Sequence, residues 1–77
     1  MPLLNNVRRF RFESGEMSQQ ELAQRVGVTR MTIYSMEKGK YVPSTLLALK
    51  IAKVFGASLE DIFYLDDDEI KELSIYE

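Results

Sequence analysis

Apolar positions in the middle of this chain recur at the spacing of an amphipathic helix. One helical face is formed by Leu22, Ala23 and Val26. Ser18 precedes this face and Glu21 follows Ser18 by three residues, which predicts a capping box at the start of the helix. Gly27 predicts its end, because a left-handed residue after a helix costs least when it lacks a Cβ.

A second short helix is predicted directly after this glycine. Thr29 is placed to cap it and Gly39 to end it. Ile33 and Met36 share its apolar face, so the opposite face is expected to point outward. Two short helices joined by a tight turn containing glycine form a helix-turn-helix, and we assign this motif to residues 18–39.

Three more helices are predicted around the motif. Residues 4–14 form the first, with Val7 and Phe10 toward the core, while Phe12 lies off that stripe and is expected to cover the side of the core. Residues 45–55 are apolar almost all round, which predicts a helix in the middle of the domain. A short last helix is predicted after it, and the core is expected to be closed by Leu59, Ile62 and Phe63.

The C-terminal segment 64–77 is rich in acidic residues and admits three interpretations. It could extend as a helix, because Asp66–Glu69 would lie at the positive N-terminal end of the helix dipole. Its last residues, L-S-I-Y-E, could instead form a short strand, or the whole segment could be a solvated tail. In either structured form, its apolar residues would pack on the domain or across a dimer.

Charge is segregated along the chain. The net charge of the whole sequence is −2, yet residues 1–56 hold nine Lys and Arg against four acidic residues, a net charge of +5. Residues 57–77 hold one Lys against eight acidic residues, a net charge of −7. Because the local field decides where a phosphate backbone docks, an acidic chain of this kind can still bind DNA with its basic part.

The residue inventory excludes several classes of site. The sequence contains no cysteine and no histidine, so disulfides, thiolate metal sites, a histidine base and a serine–histidine triad are not available. No carboxylate pair falls in a predicted cleft, and we therefore expect no enzyme, no metal and no cofactor. No apolar run reaches the length of a membrane span, so a cytoplasmic protein is expected.

Five short motifs follow one another in a fixed order. They are S-Q-Q-E-L-A at 18–23, G-V-T-R-M-T-I at 27–33, E-K-G-K at 37–40, P-S at 43–44 and G-A-S-L-E-D-I-F at 56–63. In this order and spacing they resemble the phage repressor and Cro family of helix-turn-helix regulators, in its short single-domain prokaryotic form. The resemblance implies an all-α, five-helix lambda-repressor-like DNA-binding domain over residues 1–65, followed by an acidic tail over 66–77.

The same resemblance implies one ion pair and one interface. An arginine at the position of Arg11 pairs in the family with the glutamate at the position of Glu37, which would lock the first helix to the third; the alternative is a solvated arginine. Compared with the commonest form of the family, the segment S-G-E-M before Ser18 carries one extra residue. Related proteins dimerise through the last helix and the segment after it, so the interface candidates are Leu59, Phe63, Tyr64 and Leu65.

The outward face of the second motif helix carries the predicted DNA contacts. Arg30 can grip guanine O6 and N7 bidentately, and Met31 can contact a thymine methyl where many relatives carry glutamine. The predicted base contacts are Arg30, Met31, Tyr34 and Ser35. The predicted phosphate contacts are Arg8, Gln19, Thr29, Thr32, Lys38 and Lys40. Tyr34 could instead pack against the helix at 45–55, and capping alone could account for Thr29. Plain surface positions are the alternative for Arg30, Met31, Ser35, Lys38 and Lys40.

Two functions compete on this sequence. The first is a sequence-specific regulator of transcription, most simply a repressor, that binds double-stranded DNA as a homodimer through the helix at 30–38. The second is an antitoxin-like module that binds a protein partner through its acidic tail and represses its own promoter. A basic partner whose binding is lost on deletion of residues 66–77 would distinguish the second function from the first.

Overall fold

The computed structural model describes residues 3–74, which form six helices and two short strands. In chain order these are β1 (Leu3–Asn5), α1 (Val7–Glu13), α2 (Gln19–Val26), α3 (Arg30–Glu37), α4 (Thr45–Phe55), α5 (Leu59–Ile62), β2 (Phe63–Leu65) and α6 (Asp67–Ser74). The predicted helical fold is therefore confirmed. The five predicted helices are α1 to α5, and α6 is a sixth helix in the acidic segment.

Capping residues set the ends of the two helices of the motif. Ser18 accepts a hydrogen bond from the backbone N–H of Glu21, and Thr29 accepts one from the backbone N–H of Thr32. Gly27 adopts the left-handed conformation, with φ 79°, that turns the chain between α2 and α3. The predicted capping box at Ser18 is only half formed, because the carboxylate of Glu21 pairs with Arg25 on the next turn at 2.7 Å.

One apolar core lies between the helices. Its largest fully buried side chains are Val7, Leu22, Ile33, Met36, Ile51 and Ile62. The helix α2 packs against both α3 and α4, which fixes the position of α3 on the domain. Among residues 3–74, no helix is both long and apolar enough to cross a bilayer.

The fourth helix is less central than its composition predicts. It buries Ala48 and Ile51, among others, but Leu46 and Leu49 are 64% and 52% exposed. The expectation of a helix in the middle of the domain is therefore wrong, because a domain this small leaves one face of α4 in water.

A two-stranded antiparallel sheet joins the two ends of the domain. Leu3 pairs with Leu65, and Asn5 pairs with Phe63. The apolar spacing predicts one helix over residues 4–14, whereas the structure has β1 followed by a shorter α1. The Asn5 side chain ends the strand and starts the helix, because its Oδ1 accepts the backbone N–H of Val7.

The acidic segment forms the helix α6, as the first of its three interpretations predicts. Three acidic residues, Asp67, Asp68 and Glu69, occupy its first turn, where the helix dipole favours negative charge. Its apolar residues Ile70 and Leu73 are 50% and 58% exposed. The alternative strand at L-S-I-Y-E is contradicted at its first two residues, which belong to α6, and residues 75–77 lie outside the described part of the chain.

Candidate nucleic-acid interface

The helix α3 buries one face and exposes the other, as its apolar spacing predicts. Ile33 and Met36 are buried in the core at 0% and 1% exposure. Arg30 and Met31 project from the first turn, and Met31 is 59% exposed. The first turn of α3 therefore presents one cationic and one apolar side chain to solvent.

A surface recess of about 440 Å³ lies beside the exposed face of α3. It is lined by Arg8, Arg11, Phe12, Gln19, Arg30, Tyr34, Glu37 and Lys38. The fold thus brings together five of the predicted DNA contacts from three different helices: Arg8, Gln19, Arg30, Tyr34 and Lys38. The other predicted contacts, Met31, Ser35, Thr29, Thr32 and Lys40, lie outside this recess on α3 and its flanks.

Arg11 and Glu37 form a nearly buried ion pair at the base of the recess. The Arg11 Nε donates to Glu37 Oε2 at 2.7 Å, and its Nη2 donates to Glu37 Oε1 at 2.9 Å. The remaining Arg11 nitrogen, Nη1, donates to the backbone carbonyl of Met17 at 2.7 Å. The bidentate pair fixes the relative orientation of the two side chains as well as stabilising them, so it joins α1 to the end of α3. The bond to Met17 joins α1 to the loop before α2.

Gln19 joins the same network from the first turn of α2. Its Nε2 donates to Glu37 Oε1 at 3.1 Å, so one carboxylate holds side chains from α1 and α2. The sequence predicts Gln19 as a phosphate contact only, and no local pattern indicates this bond to Glu37. Its amide has a second N–H and an acceptor oxygen left for other partners.

The charge of the recess is positive in sum. Among the described residues that line it, Glu37 is the single acidic one, and it is neutralised by Arg11. Arg8, Arg30 and Lys38 then remain as three cationic groups around the opening. The acidic residues of α6 do not contribute to this lining. The recess is therefore suited to an anionic partner.

Aromatic rings hold two of the cationic side chains in place. The Lys38 Nζ lies 5.7 Å from the centre of the Tyr34 ring, and the Arg8 guanidinium lies 5.5 Å from the centre of the Phe12 ring. Both distances fall within the range of cation–π contacts. Phe12 is 51% exposed, so the expectation that it covers the core is wrong. Phe12 lies off the apolar stripe of α1, and this position in the sequence is the signal that it contacts Arg8 at the surface.

The threonines at the start of α3 are engaged with each other. The hydroxyls of Thr29 and Thr32 lie 3.1 Å apart, while Thr29 also caps the helix. Ser35 is partly exposed on the following turn, and Lys40 is exposed beyond the end of α3. Capping accounts for Thr29 in the free protein, and its hydroxyl remains at the edge of the exposed face.

The predicted interface residues divide into surface and core. Leu59, Tyr64 and Leu65 are exposed to 36%, 41% and 41%. Phe63 is 7% exposed and packs in the core, which corrects its assignment to an accessible surface. Phe63 is the one buried position of β2, whereas Tyr64 and Leu65 are both exposed. A shallow recess beside the sheet is lined by Glu60, Phe63, Tyr64, Leu65 and Ile70.

Comparisons with known proteins agree with this geometry. The sequence model of the helix-turn-helix family, of the Cro/C1 type, matches residues 9–62. An uncharacterized HTH-type transcriptional regulator of Archaeoglobus fulgidus is 56% identical over 64 residues, which cover 83% of this chain and 90% of that protein. The regulator YgzD of Bacillus subtilis, also described as HTH-type, is 50% identical over 64 residues, covering 83% of this chain and 96% of YgzD.

A solved structure supports the fold independently. A crystal structure of a protein from Bacteroides fragilis superposes with a TM-score of 0.72 and covers 80% of this chain and 98% of that one. Its sequence identity is 21%, so it bears on the fold alone.

Proposed function

Because the chain belongs to the Cro/C1-type helix-turn-helix family of DNA-binding transcriptional regulators, we propose that it binds specific double-stranded DNA through α3 and represses transcription. The observation that carries this proposal is the exposed first half of α3 beside a cationic recess. A B-DNA major groove about 12 Å wide accepts a helix of this kind. The DNA of a prokaryotic cell lies in the cytoplasm, where we expect the protein to act.

The first turn of α3 supplies the base contacts in this proposal. Among residues 3–74, Arg30 takes part in no ion pair, so its guanidinium can bind guanine O6 and N7 without first breaking a bond. Met31 contacts a thymine methyl group with its exposed thioether side chain. Tyr34 and Ser35, one turn further on, contact the edges of neighbouring bases.

The surrounding side chains supply the contacts with phosphates. Lys38 and Arg8 each contact an aromatic ring in the lining of the recess, and we propose that both bind phosphates of the DNA backbone. Gln19 presents its remaining amide hydrogen at the start of α2, where backbone N–H groups also favour a phosphate. The remaining contacts of this class are Thr29, Thr32 and Lys40.

We infer that the protein binds as a homodimer. The exposed apolar residues Leu59, Tyr64 and Leu65 support a second copy at the sheet, on the surface that carries β2. Two copies related by a two-fold axis would place their α3 helices in successive major grooves, about 34 Å apart. Sedimentation of the Tyr64→Lys variant tests this arrangement, because a charge on that surface is expected to shift the protein toward monomer.

Selection from a randomised duplex library tests the function. The expected result is an enriched inverted repeat with about one helical turn between half-sites. Arg30→Ala is expected to cost about 1–3 kcal/mol at one base pair of each half-site and to relax the preference there. Lys40→Ala is the matched control, because losing a phosphate contact weakens all duplexes alike and lowers the salt slope by about 1. No enrichment at any salt concentration would contradict the proposal.

The acidic helix favours a second candidate, an antitoxin-like module. The first turn of α6 carries three acidic residues, and Leu73 is more than half exposed on the same helix. These features suit a partner protein with a basic, partly apolar surface. A partner that copurifies in a 1:1 ratio and is lost when residues 66–77 are deleted would support this function. Retention of the partner after the deletion would exclude α6 as its binding site.

A further inference from the structure

Asn5 bonds to two helices at once. Its Nδ2 donates to the backbone carbonyl of Met36 at 2.9 Å, in the last turn of α3. Its Oδ1 accepts the backbone N–H of Val7 at 3.1 Å, at the start of α1. The bond to Met36 is not predicted from the sequence, because the two residues are 31 positions apart. The bond to Val7 is local, but it falls where the apolar spacing predicts a continuous helix.

Only an amide side chain can make this pair of bonds. The N–H at the start of a helix lacks an acceptor within the helix, and Asn5 supplies one to Val7. The Met36 carbonyl accepts the backbone N–H of Gly39 at the end of α3, and Asn5 donates to its second lone pair. Asparagine carries one group of each kind on a short stem. The two partners also fix the orientation of the Asn5 amide, since the reversed orientation would oppose donor to donor and acceptor to acceptor.

The bond to Met36 falls where other elements already hold α3. The next residue, Glu37, receives Arg11 from α1 and Gln19 from α2. Asn5 adds β1 to this group, and β1 is itself fixed by its pairing with β2. The C-terminal end of α3 is therefore held from three sides, while the first turn that carries Arg30 and Met31 projects from the domain.

We propose that Asn5 is a positioning residue for DNA recognition, which fixes the orientation of α3 by joining its last turn to the sheet. This inference rests on the proposed function of α3. Base contacts depend on the tilt of this helix, whereas contacts with phosphates tolerate small rotations. Removing the amide therefore loosens sequence discrimination more than it weakens DNA binding in general.

Asn6 provides a matched control one residue further on. Its Nδ2 donates to the backbone carbonyl of Asp61 at 3.1 Å, so it makes one long-range bond to a backbone carbonyl, as Asn5 does. That carbonyl belongs to α5, which carries no predicted base contact. Asn5→Ala and Asn6→Ala each remove one long-range bond to a backbone carbonyl without adding charge, and only the first removes a bond to α3. Asn5→Ala also removes the local bond to the N–H of Val7 at the start of α1.

The experiment measures affinity for the selected duplex and for a scrambled duplex, with wild-type protein and both variants. For Asn5→Ala, affinity for the selected duplex is expected to fall about threefold to tenfold, which corresponds to one hydrogen bond. Its affinity for the scrambled duplex is expected to stay within about twofold of wild type. For Asn6→Ala, the affinities for both duplexes are expected to stay within about twofold of wild type.

Amide hydrogen exchange gives a readout that does not involve DNA. The backbone N–H of Gly39 also donates to the Met36 carbonyl, at 3.0 Å. Loss of the Asn5 bond is expected to speed exchange at Gly39 and Lys38, at the end of α3. Exchange in the core of α4, at Ile51, is expected to remain as in wild type, which separates a local change from general destabilisation.

Each outcome decides between the proposals. If wild-type protein enriches a duplex but Asn5→Ala discriminates as well as wild type, the positioning role of Asn5 is wrong while the proposed function stands. Equal losses for Asn5→Ala and Asn6→Ala, or parallel losses on both duplexes, also overturn it. If wild-type protein selects no duplex, the proposed function fails, and the role of Asn5 in recognition fails with it.

Discussion

Replacing Glu37 by glutamine removes the charge that Arg11 faces while keeping the shape of the side chain. Both side chains are nearly buried, at 10% exposure for Arg11 and 7% for Glu37. The new amide has one acceptor oxygen, so one of the two Arg11 bonds would face an N–H group instead. Arg11 then keeps its bond to the Met17 carbonyl but lies buried without a counter-charge.

The size of the effect follows from this geometry. Breaking a buried ion pair by changing one partner costs about 3–5 kcal/mol, because the remaining charge is left unpaired. We expect the lower end, about 3 kcal/mol, since the glutamine oxygen retains one hydrogen bond. A domain of this size has a free energy of unfolding of about 5–15 kcal/mol. The loss should lower the melting temperature by roughly 12–24 °C, at 4–8 °C for each kcal/mol.

Glu21→Gln is the matched control for this prediction. It breaks the Arg25–Glu21 pair, which has a similar distance of 2.7 Å but side chains about half exposed. A helix surface pair of this kind contributes about 0.3–0.5 kcal/mol. Thermal and urea unfolding, followed by circular dichroism at one fixed protein concentration, compares the two variants, since dimerisation makes stability depend on concentration.

The comparison can refute the reasoning directly. If Glu37→Gln costs less than about 1 kcal/mol, or no more than Glu21→Gln, then burial of the Arg11–Glu37 pair does not govern its contribution. A double variant that combines Arg11→Met with Glu37→Met provides a second check. It should be more stable than Glu37→Gln alone, because it leaves no buried charge behind.

Three further predictions concern local features of the fold. Glu16 has φ 57°, so Glu16→Gly should raise the free energy of unfolding by about 0.5–1 kcal/mol in urea denaturation, whereas Glu13→Gly in α1 should lower it. Ser58→Ala should lower it by about 1 kcal/mol, because both bonds of the capping box at α5 are lost. Phe12→Leu removes the ring that both Arg8 and Arg11 contact, and it should weaken DNA binding, measured by titration. It should lower the melting temperature much less than Glu37→Gln does, because the Arg11–Glu37 hydrogen bonds remain; an equal fall would mean that the ring contributes as much as the carboxylate to holding Arg11.

The helices of the motif could be predicted because their signals are local. Ser18, Gly27 and Thr29 act within one turn of their own positions, and the structure places a helix end at each of them. The exposed face of α3 followed from the burial of Ile33 and Met36, which needs only helical periodicity. The sequence therefore predicted both the motif and the face that we propose meets DNA.

The sheet could not be predicted in the same way. Each strand is three residues long, too short to show an alternating pattern, and its partner lies at the other end of the domain. The contacts of Asn5 with Met36 and of Gln19 with Glu37 were missed for the same reason, because they join elements far apart in sequence. The Arg11–Glu37 pair, which also holds α3, was expected only because the sequence resembles a known family.

The pairing of β1 with β2 has a consequence for synthesis on the ribosome. Leu3 meets Leu65, so nearly the whole domain is translated before β1 has a strand partner. The helices α1 to α3 can form earlier from local contacts, as N-terminal segments generally do. The bond from Asn5 to the end of α3 waits for the sheet that holds β1. In a nascent chain, the helix that we propose meets DNA would therefore become fully oriented only after translation has passed β2.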